Sequence, residues 1–405
     1  RKTLCRQSIL GKMPRTMSPL ALHEFHHNLG AQFSELQGAE IVADYGDWLA
    51  EYKSLHGSAG VLDFSFRSRI CVVGNDRARF LHGQVTNDVK KLRVGEGCYS
   101  AITTSKGKME SDLNVFALAD ELLLDFEPGL TEKISQRLEK FIVADDVQIV
   151  DAAPHYGLLS VQGPKVAEVV RALNLFSEIP TQQLGSIKIS DATLGEIYLT
   201  NNPRLDPNWW GETPSSPNLS EMGSRGLSSQ QKICGFDLFV PNNSFGAVAD
   251  KLIAAAKQIG GRACGWTAFE TVRIENGIPR FGADMDETNI PLECGIERRA
   301  IVYNKGCYIG QEVINRIHSI GHVNKELGGL RLADNCPALP ARGDKLFFKG
   351  KEVGYVTSGV KSPALNANIA LGYVRREANQ IGNELALRTA AGESLAKIVA
   401  LPFVK

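Results

Sequence analysis

The sequence lacks several features that mark specialised classes of protein. Its eight cysteines are scattered over 405 residues without a Cys-x-x-Cys pair, which argues against a zinc site or a disulfide scaffold. The formal net charge is zero, so no basic excess supports a nucleic-acid or membrane-surface partner. No apolar run reaches the roughly 18 residues that span a bilayer, and no Gly-x-Gly-x-x-Gly fingerprint indicates a dinucleotide cofactor. We therefore expect a globular protein with no metal site, no membrane contact and no direct nucleic-acid contact.

The composition, with 43% hydrophobic and 22% charged residues, is typical of a globular protein. The length predicts two or three domains. Between residues 68 and 259, strand-like and helix-like segments alternate, which predicts an α+β fold with helices covering antiparallel sheets. From about residue 340, short alternating strands separated by Gly, Asn and Pro predict a small antiparallel β-barrel. We place the two α+β subdomains in 17–335 and the barrel domain in 336–405.

Local sequence patterns predict individual strands and helices within this outline. The segment 97–118 predicts a β-hairpin about Ser105-Lys106-Gly107, and 121–126 predicts a further strand. The segment 130–143 predicts an amphipathic helix, because apolar residues recur at helical spacing on one face. Those residues are Leu130, Ile134, Leu138 and Ile142.

Two segments depart from regular patterning. Residues 201–231 are rich in Pro, Ser, Asn and Gly and predict a long surface loop or an insertion in a hairpin. Residues 1–16 hold five basic residues and no acidic one, before a normal-looking start at Met17. This composition is loosely like a transit peptide, but we favour upstream or added sequence that is poorly ordered.

One short motif, KGCYIGQE (305–312), combines a single thiol with a glycine-punctuated loop. A helix is predicted to begin at about Gln311, and helix-start N–H groups together with Lys305 would favour a thiolate at Cys307. Cys307 is therefore a candidate nucleophile or redox-sensitive group. The alternative, a small buried cysteine in a tight turn, stays open, and no histidine can be assigned as its base.

Two acidic regions are further candidates. Asp112 lies in a strand that otherwise alternates, so its carboxylate faces either solvent or a cleft, and in a cleft burial would raise its pKa. The segment 271–297 carries a dense set of acids, but its spacing departs from a calcium loop and indicates a polar wall. Within it, Arg273 and Glu275 lie two apart in a strand-like stretch and could pair with each other.

Together and in this order, these stretches resemble the folate-binding superfamily that contains the glycine-cleavage T-protein (aminomethyltransferase) and YgfZ-type proteins. The resemblance is carried by FLHGQVTNDV, the Gly-x-Tyr to Asp-Leu hairpin, GFDLFVP, RIENGIPRFGADMDETNIPLE and the closing VGYVTSG…NIALGYV…LPF. KGCYIGQE resembles the signature of the YgfZ branch. The resemblance implies a three-domain cloverleaf of two α+β domains and a C-terminal antiparallel β-barrel around a central cavity that binds tetrahydrofolate.

The resemblance also implies roles for individual residues. Tyr99 matches a tyrosine that lines the pterin cavity, Asp112 the carboxylate near the reactive folate nitrogen, and Asp237 a pterin-binding carboxylate. Arg273 is the second arginine of a family stretch whose first arginine is replaced here by Phe269, which removes a bidentate partner for a carboxylate. The candidate catalytic residues are thus Cys307 and Asp112. The loop around Cys307 would be shaped by Lys305, Gly306, Tyr308, Gly310, Gln311 and Glu312.

Three functions follow as expectations. The first is a YgfZ-like tetrahydrofolate-binding protein that supports iron–sulfur enzymes and tRNA modification. The alternative is an aminomethyltransferase that passes a one-carbon unit to tetrahydrofolate, and the second alternative is a non-catalytic scaffold. The first implies folate and iron–sulfur proteins as partners, a monomer, and a cytoplasmic location, or the mitochondrial matrix in a eukaryote.

Overall fold

A computed structural model describes residues 17–210 and 234–404. The extension expected at 1–16 and most of the insertion expected at 201–231 therefore lie outside the described residues. The strands are β1 (Gln32–Leu36), β2 (Ala39–Asp44), β3 (Gly60–Asp63), β4 (Ser68–Val73), β5 (Gly97–Thr103), β6 (Met109–Ala117), β7 (Glu121–Phe126), β8 (Gln148–Asp151), β9 (Tyr156–Gly163), β10 (Ser186–Asp191), β11 (Gly195–Asn201), β12 (Cys234–Pro241), β13 (Arg262–Ala263), β14 (Lys325–Leu332), β15 (Lys345–Phe348), β16 (Lys351–Ser362), β17 (Ala367–Arg375), β18 (Glu384–Thr389) and β19 (Gly392–Val399).

The α-helices are α1 (His23–Asn28), α2 (Trp48–Gly57), α3 (Arg77–His82), α4 (Thr131–Glu139), α5 (Val166–Ala172), α6 (Phe245–Gln258), α7 (Trp266–Glu275), α8 (Glu297–Ala300) and α9 (Gln311–Ile320). Short 3-10 turns occur at Val89–Lys91, Pro207–Trp210 and Pro291–Cys294. Across the described ranges, no helix is both long enough and apolar enough to cross a membrane.

The first α+β unit is an antiparallel sheet of order β5-β6-β7-β4-β8. Helices α3 and α4 pack on one face, where Ile134 and Leu138 of α4 are fully buried against Ile70 and Leu124 of the sheet. The helical spacing therefore predicted the buried face of α4 correctly, and the hairpin predicted at 97–118 is β5 and β6.

The second unit is a sheet of order β10-β11-β12-β9-β3-β13. Its pairs are antiparallel except for β13, which runs parallel to β3. Helices α5 and α6 cover one face through buried residues such as Val170 and Leu252. The segment 64–67 connects β3 of this unit to β4 of the first unit.

The C-terminal unit is a closed antiparallel barrel of order β14-β17-β16-β15-β18-β19. Leu346, Leu387 and Ile398 fill its interior. The barrel takes in β14, which begins at Lys325 and so precedes the boundary expected at 336. The sequence pattern does not predict this strand, because KELGGLRL (325–332) contains adjacent glycines and charged residues, which are depleted in strands. The α+β class with a C-terminal barrel is confirmed.

Buried carboxylates join the barrel to the rest of the molecule. Asp284 accepts hydrogen bonds from Thr357 Oγ1 (2.5 Å) and Ser358 Oγ (2.7 Å) of β16 and from Arg273 Nη1 (2.6 Å) of α7. Glu275 accepts a hydrogen bond from Tyr52 of α2 (2.8 Å). The pairing of Glu275 with Arg273 that the sequence suggested is therefore not formed. The strand-like stretch at 273–275 is instead the end of helix α7, where residues 271–275 are all buried, so no exposed polar face marks the helical period in the sequence.

Candidate functional site

A cavity of about 90 Å³ lies where the two α+β units face each other. Its walls come from β6 and β7, the segment 202–204 that follows β11, helix α7 and the loop 278–280. The chain thus builds it from segments far apart in sequence. The lining includes Phe64, Arg67, Tyr99, Asp112, Asp125, Glu127, Asn202, Arg204, Trp266, Phe269, Arg273, Arg280 and Arg299.

Asp112 projects from β6 into this cavity, which resolves the alternative between solvent and cleft. Tyr99 on the neighbouring strand β5 donates a hydrogen bond from its hydroxyl to Asp112 Oδ2 (2.7 Å). Burial raises the pKa of Asp112 to about 6, and the nearby charge of Glu127 adds to the shift. Within the described part of the chain, no arginine or lysine nitrogen lies within 4 Å of this carboxylate. Asp112 can therefore exchange a proton near neutral pH, as a general acid or base must.

The other acidic side chains of the cavity are paired with arginines. Asp125 on β7 accepts a hydrogen bond from Arg67 Nε (2.7 Å), and Arg67 Nη1 reaches Glu127 (2.5 Å). Glu127 also binds Arg280 Nη1 (3.0 Å). Although burial opposes ionisation of Asp125, its neighbours Arg67 and Arg204 hold its pKa well below the usual range. Asp125 therefore stays ionised far below neutral pH, whereas Asp112 takes up a proton close to neutrality.

Asp237, predicted to bind the pterin, is fully buried behind the cavity wall. Arg204 lies in front of it and donates from Nε to Asp237 Oδ1 (3.2 Å) and from Nη2 to Asp237 Oδ2 (2.6 Å). Asn202 Nδ2 donates to the same Oδ2 (2.8 Å), and Arg204 Nη2 also reaches Asp125 Oδ2 (2.8 Å). The cavity thus presents the guanidinium of Arg204, whereas the carboxylate of Asp237 is covered by it.

An aromatic wall faces these charges. The ring of Phe64 meets that of Phe269 edge to face at 5.0 Å, and Trp266 lies 5.3 Å from Phe269. Two guanidiniums cover the wall, Arg204 at 5.3 Å from the Phe64 ring centre and Arg280 at 5.1 Å from that of Trp266. A flat conjugated ring would find both stacking surface and hydrogen-bonding groups here.

Arg273, predicted to contact folate, lines the cavity, but its donors are engaged. Its guanidinium donates to Glu270 (2.6 and 2.8 Å), Asp284 (2.6 Å), the carbonyl oxygen of Ile278 (2.5 Å) and Ser358 (3.2 Å). These bonds account for all five N–H groups of an arginine. A contact with a ligand would require one of them to break, so the geometry supports a structural role for Arg273.

The motif loop 305–312 lies outside this cavity, since none of its residues belongs to the lining. Lys305 is buried and donates from Nζ to the carbonyl oxygens of His82 (2.6 Å), Val85 (2.6 Å) and Asn87 (2.7 Å). Burial lowers the pKa of Lys305 to about 8. This lysine therefore fastens the loop to the end of α3 and the segment that follows it.

Other residues of the loop also have structural roles. Tyr308 is buried, with the Lys305 Nζ 4.9 Å from its ring centre. Gly310 precedes α9 with φ of +90°, and a Cβ there would lie 2.6 Å from the Thr104 carbonyl oxygen, so only glycine fits. Gln311 and Glu312 form the start of α9.

Cys307, in contrast, is exposed at the surface. This placement excludes the alternative of a small buried cysteine in the turn. A Cβ built on the preceding Gly306 would lie 3.3 Å from His82 Nε2, so the backbone at Gly306 passes close to that imidazole. The structure brings Tyr99 and Asp112 together in the cavity and places Cys307 apart from them.

Sequence reasoning missed the arginines and acids that form most of the cavity's charge, namely Arg67, Asp125, Glu127, Arg204 and Arg280. One signal was available, because Asp125 interrupts an otherwise apolar strand, ELLLDF (121–126). A fully buried acid in such a strand needs a charged partner. The sequence does not say which of 45 basic residues supplies it.

Comparisons with known proteins agree with this architecture. The GCVT N-terminal domain family matches residues 22–200 and 233–305, and the glycine cleavage T-protein C-terminal barrel domain family matches residues 325–405. Aminomethyltransferases of Corynebacterium jeikeium and Shouchella clausii are 28% and 26% identical over 395 and 385 residues, covering 95% of this chain and 97% of each relative.

The fold is likewise that of a solved relative. The crystal structure of glycine cleavage system aminomethyltransferase T from Bartonella henselae superposes with a TM-score of 0.80 at 22% identity, covering 96% of this chain and 98% of the other. The two family models together match both α+β units and the barrel. The chain therefore belongs to the glycine cleavage T-protein family.

Proposed function

We propose that this protein binds a reduced folate in the central cavity and that Asp112 exchanges a proton or hydrogen bond with the bound ligand. The observation that carries the proposal is the partly buried Asp112 carboxylate, hydrogen-bonded by Tyr99, with a pKa of about 6. A bound tetrahydrofolate would supply nitrogens that carry a one-carbon unit. Asp112 would then provide the acceptor, close to neutral pH, that such nitrogen chemistry requires.

Other side chains of the cavity also suit this ligand. The wall formed by Phe64, Phe269 and Trp266 offers apolar surface for a ring system. The fit is incomplete at Asp237, whose carboxylate is covered by Arg204. Asp112 and Tyr99 are therefore the residues that we assign to the ligand first.

One candidate activity is aminomethyl transfer, in which a one-carbon unit passes to tetrahydrofolate from an aminomethyl-lipoyl carrier. The relatives described above are named aminomethyltransferases, and they align with almost the whole of this chain. The comparisons support this candidate more directly than the next one. Phe269 counts against it, since its phenyl ring packs in the aromatic wall where an arginine would offer a bidentate group.

A second candidate is the YgfZ-type role, which supports iron–sulfur enzymes and, through them, tRNA modification. The observation that favours it is the placement of Cys307. The loop is anchored by buried Lys305, yet the thiol is exposed and lies outside the cavity. An exposed thiol on an anchored loop is suited to contact a partner protein, such as an iron–sulfur protein, and is not placed to react with a ligand inside the cavity.

Anaerobic calorimetric titration with tetrahydrofolate tests the shared part of the proposal. We expect saturable binding to the unmodified protein, and Asp112→Asn should weaken it by about 1–3 kcal/mol, as for loss of a charged hydrogen bond. Asp334→Asn is the matched control, because Asp334 is exposed and lies in the described structure outside the cavity lining. An unchanged affinity in Asp112→Asn would remove Asp112 from the site. No binding by the folded protein would favour the non-catalytic scaffold.

Aminomethyl-transfer activity separates the two candidates. Release of a one-carbon unit from an aminomethyl-lipoyl carrier in the presence of tetrahydrofolate is expected only of the first candidate. If folate binds but no transfer occurs, the YgfZ-type role is favoured. In that case a strain lacking this gene should lose iron–sulfur enzyme activity, and the Cys307→Ala protein should fail to restore it.

A further inference from the structure

The ionic arrangement at Arg204 has a consequence for ligand entry. Arg204 holds Asp237 through two nitrogens, Nε and Nη2, and holds Asp125 through Nη2 at 2.8 Å. Both carboxylates are fully buried. Because Arg204 belongs to the cavity lining and Asp237 does not, a ligand in the cavity meets the guanidinium before it meets the Asp237 carboxylate.

The position of Arg204 is set by its own neighbours. Its backbone N–H donates to Gln162 Oε1 (3.0 Å), and its guanidinium lies 5.3 Å from the ring centre of Phe64. It lies beyond the end of β11 at Asn201, so its backbone takes no part in the sheet. A movement of the Arg204 side chain would therefore break its bonds to Asp237 or Asp125 but no hydrogen bond between strands.

A pterin ring could compete with the Arg204 guanidinium for the Asp237 carboxylate, because both present parallel N–H donors. Its 2-amino-4-oxopyrimidine edge presents a ring N–H and an adjacent amino group, which are parallel donors like those of a guanidinium. Parallel N–H donors bind a carboxylate through both of its oxygens. Arg204 holds both oxygens of Asp237 from the side that faces the cavity, so a pterin in the cavity cannot reach them from that side while Arg204 stays in place.

Resting on the proposed folate binding, we propose that Arg204 is an internal competitor that a pterin must displace from Asp237 in order to bind fully. Its displacement need not leave the guanidinium without a partner, because the contact with Asp125 can be retained as the side chain turns away from Asp237. The binding-competent form is then a minor state of the free protein. The apparent affinity is reduced by the fraction of molecules in which Arg204 has moved.

The test compares two ring probes, 6-methylpterin and 6-methyllumazine, which differ in that the lumazine carries an oxygen in place of the 2-amino group. We expect Arg204→Ala to bind 6-methylpterin at least tenfold more tightly than the unmodified protein does. Its affinity for 6-methyllumazine should change little, since that ring lacks the paired donors. Arg67→Ala is the matched control, because it removes an arginine of the same cavity that pairs with Asp125 and Glu127 without uncovering Asp237.

Low millimolar guanidinium chloride adds a direct check, because the free ion should reoccupy the vacated position in Arg204→Ala and reverse the gain in pterin affinity. Equal or weaker binding of 6-methylpterin by Arg204→Ala, with binding intact in the unmodified protein, would overturn this inference alone. Failure of every folded variant to bind the pterin and tetrahydrofolate would overturn the proposed function as well. The two failures are thus distinguishable.

A second measurement does not depend on the variant folding. In the unmodified protein labelled at arginine ¹⁵Nε, the Arg204 resonance is expected to shift when 6-methylpterin saturates the cavity, because its bond to Asp237 is lost. In the Arg204→Lys variant the Arg204 signal is absent, which identifies that signal in the spectrum of the unmodified protein. The substitution keeps the positive charge at this position. A resonance that stays in place at saturation would show that Arg204 is not displaced.

Discussion

Replacing Asp112 with asparagine should make the folded protein more stable at neutral pH, although it removes the carboxylate assigned to the ligand. Burial raises the pKa of Asp112 from an ordinary value of 3.8 to about 6. The folded chain therefore binds this proton more tightly than the unfolded chain does. Its contribution to stability is present at low pH and is lost as the pH rises through the window from about 4 to 6.

The magnitude follows from the size of the shift. A difference of about two pKa units corresponds to about 3 kcal/mol, since each unit is worth about 1.4 kcal/mol. Asparagine carries no ionising group and can still accept the hydrogen bond from Tyr99, so it avoids this loss. Above pH 7, Asp112→Asn should exceed the unmodified protein in free energy of unfolding by up to about 3 kcal/mol. Between pH 5 and pH 8 the advantage should grow by about 1.4 kcal/mol, because roughly one unit of the shift titrates in that range.

Urea denaturation followed by tryptophan fluorescence at several pH values measures this difference. Asp191→Asn is a control whose pH window is different, because backbone N–H groups of Leu194 and Thr193 lower the pKa of Asp191 below its ordinary value of 3.8. Asp191 is ionised in both the folded and the unfolded chain above about pH 5, so the stability difference of this variant should stay constant from pH 5 to 8 and shrink only in more acidic solution. Parallel stability curves for Asp112→Asn and the unmodified protein from pH 5 to 8 would refute the argument that burial penalises the ionised Asp112.

Three further substitutions test the structural roles of buried and exposed groups. Asp284→Ala should cost about 3–5 kcal/mol in urea denaturation, because it leaves buried Arg273 short of a carboxylate partner; a loss below about 1 kcal/mol would contradict this. Lys305→Met should cost about 1–3 kcal/mol, since three carbonyl oxygens lose their donor, and an unchanged urea midpoint would show that those bonds contribute nothing. Cys307→Ala should leave unfolding within about 0.5 kcal/mol of the unmodified protein, because the residue is exposed. The same variant should fail to complement a strain that lacks this gene, and full complementation would reduce Cys307 to a surface residue without a role.

Regular elements were predictable where side-chain periodicity was clear. The apolar spacing of α4 and the alternation in β5 and β6 are local properties, and local steric and burial rules were enough to place them. Helix α7 was mistaken for a strand because Thr271, Val272 and Ile274 are β-branched, and burial on all sides erased the polar face that marks a surface helix.

The site was predictable only in part. Sequence resemblance pointed to Tyr99 and Asp112, which the structure brings into one cavity. It also pointed to Asp237, but not to the arginine that covers it. Cys307 drew attention as the single thiol of an unusual motif, yet its exposure depends on how Lys305 anchors the loop to a segment more than 200 residues away.

The sequence by itself determined the α+β class, the barrel, the membership of the glycine cleavage T-protein family and the residue types available for chemistry. Those properties depend on composition, periodicity and short motifs, which are local. Only the tertiary structure decided which charges meet. Arg204 follows β11, Asp125 lies on β7 and Asp237 on β12, and their pairing depends on how two separate sheets pack. Burial and distance set the strength of these interactions, and neither quantity exists until the chain has folded.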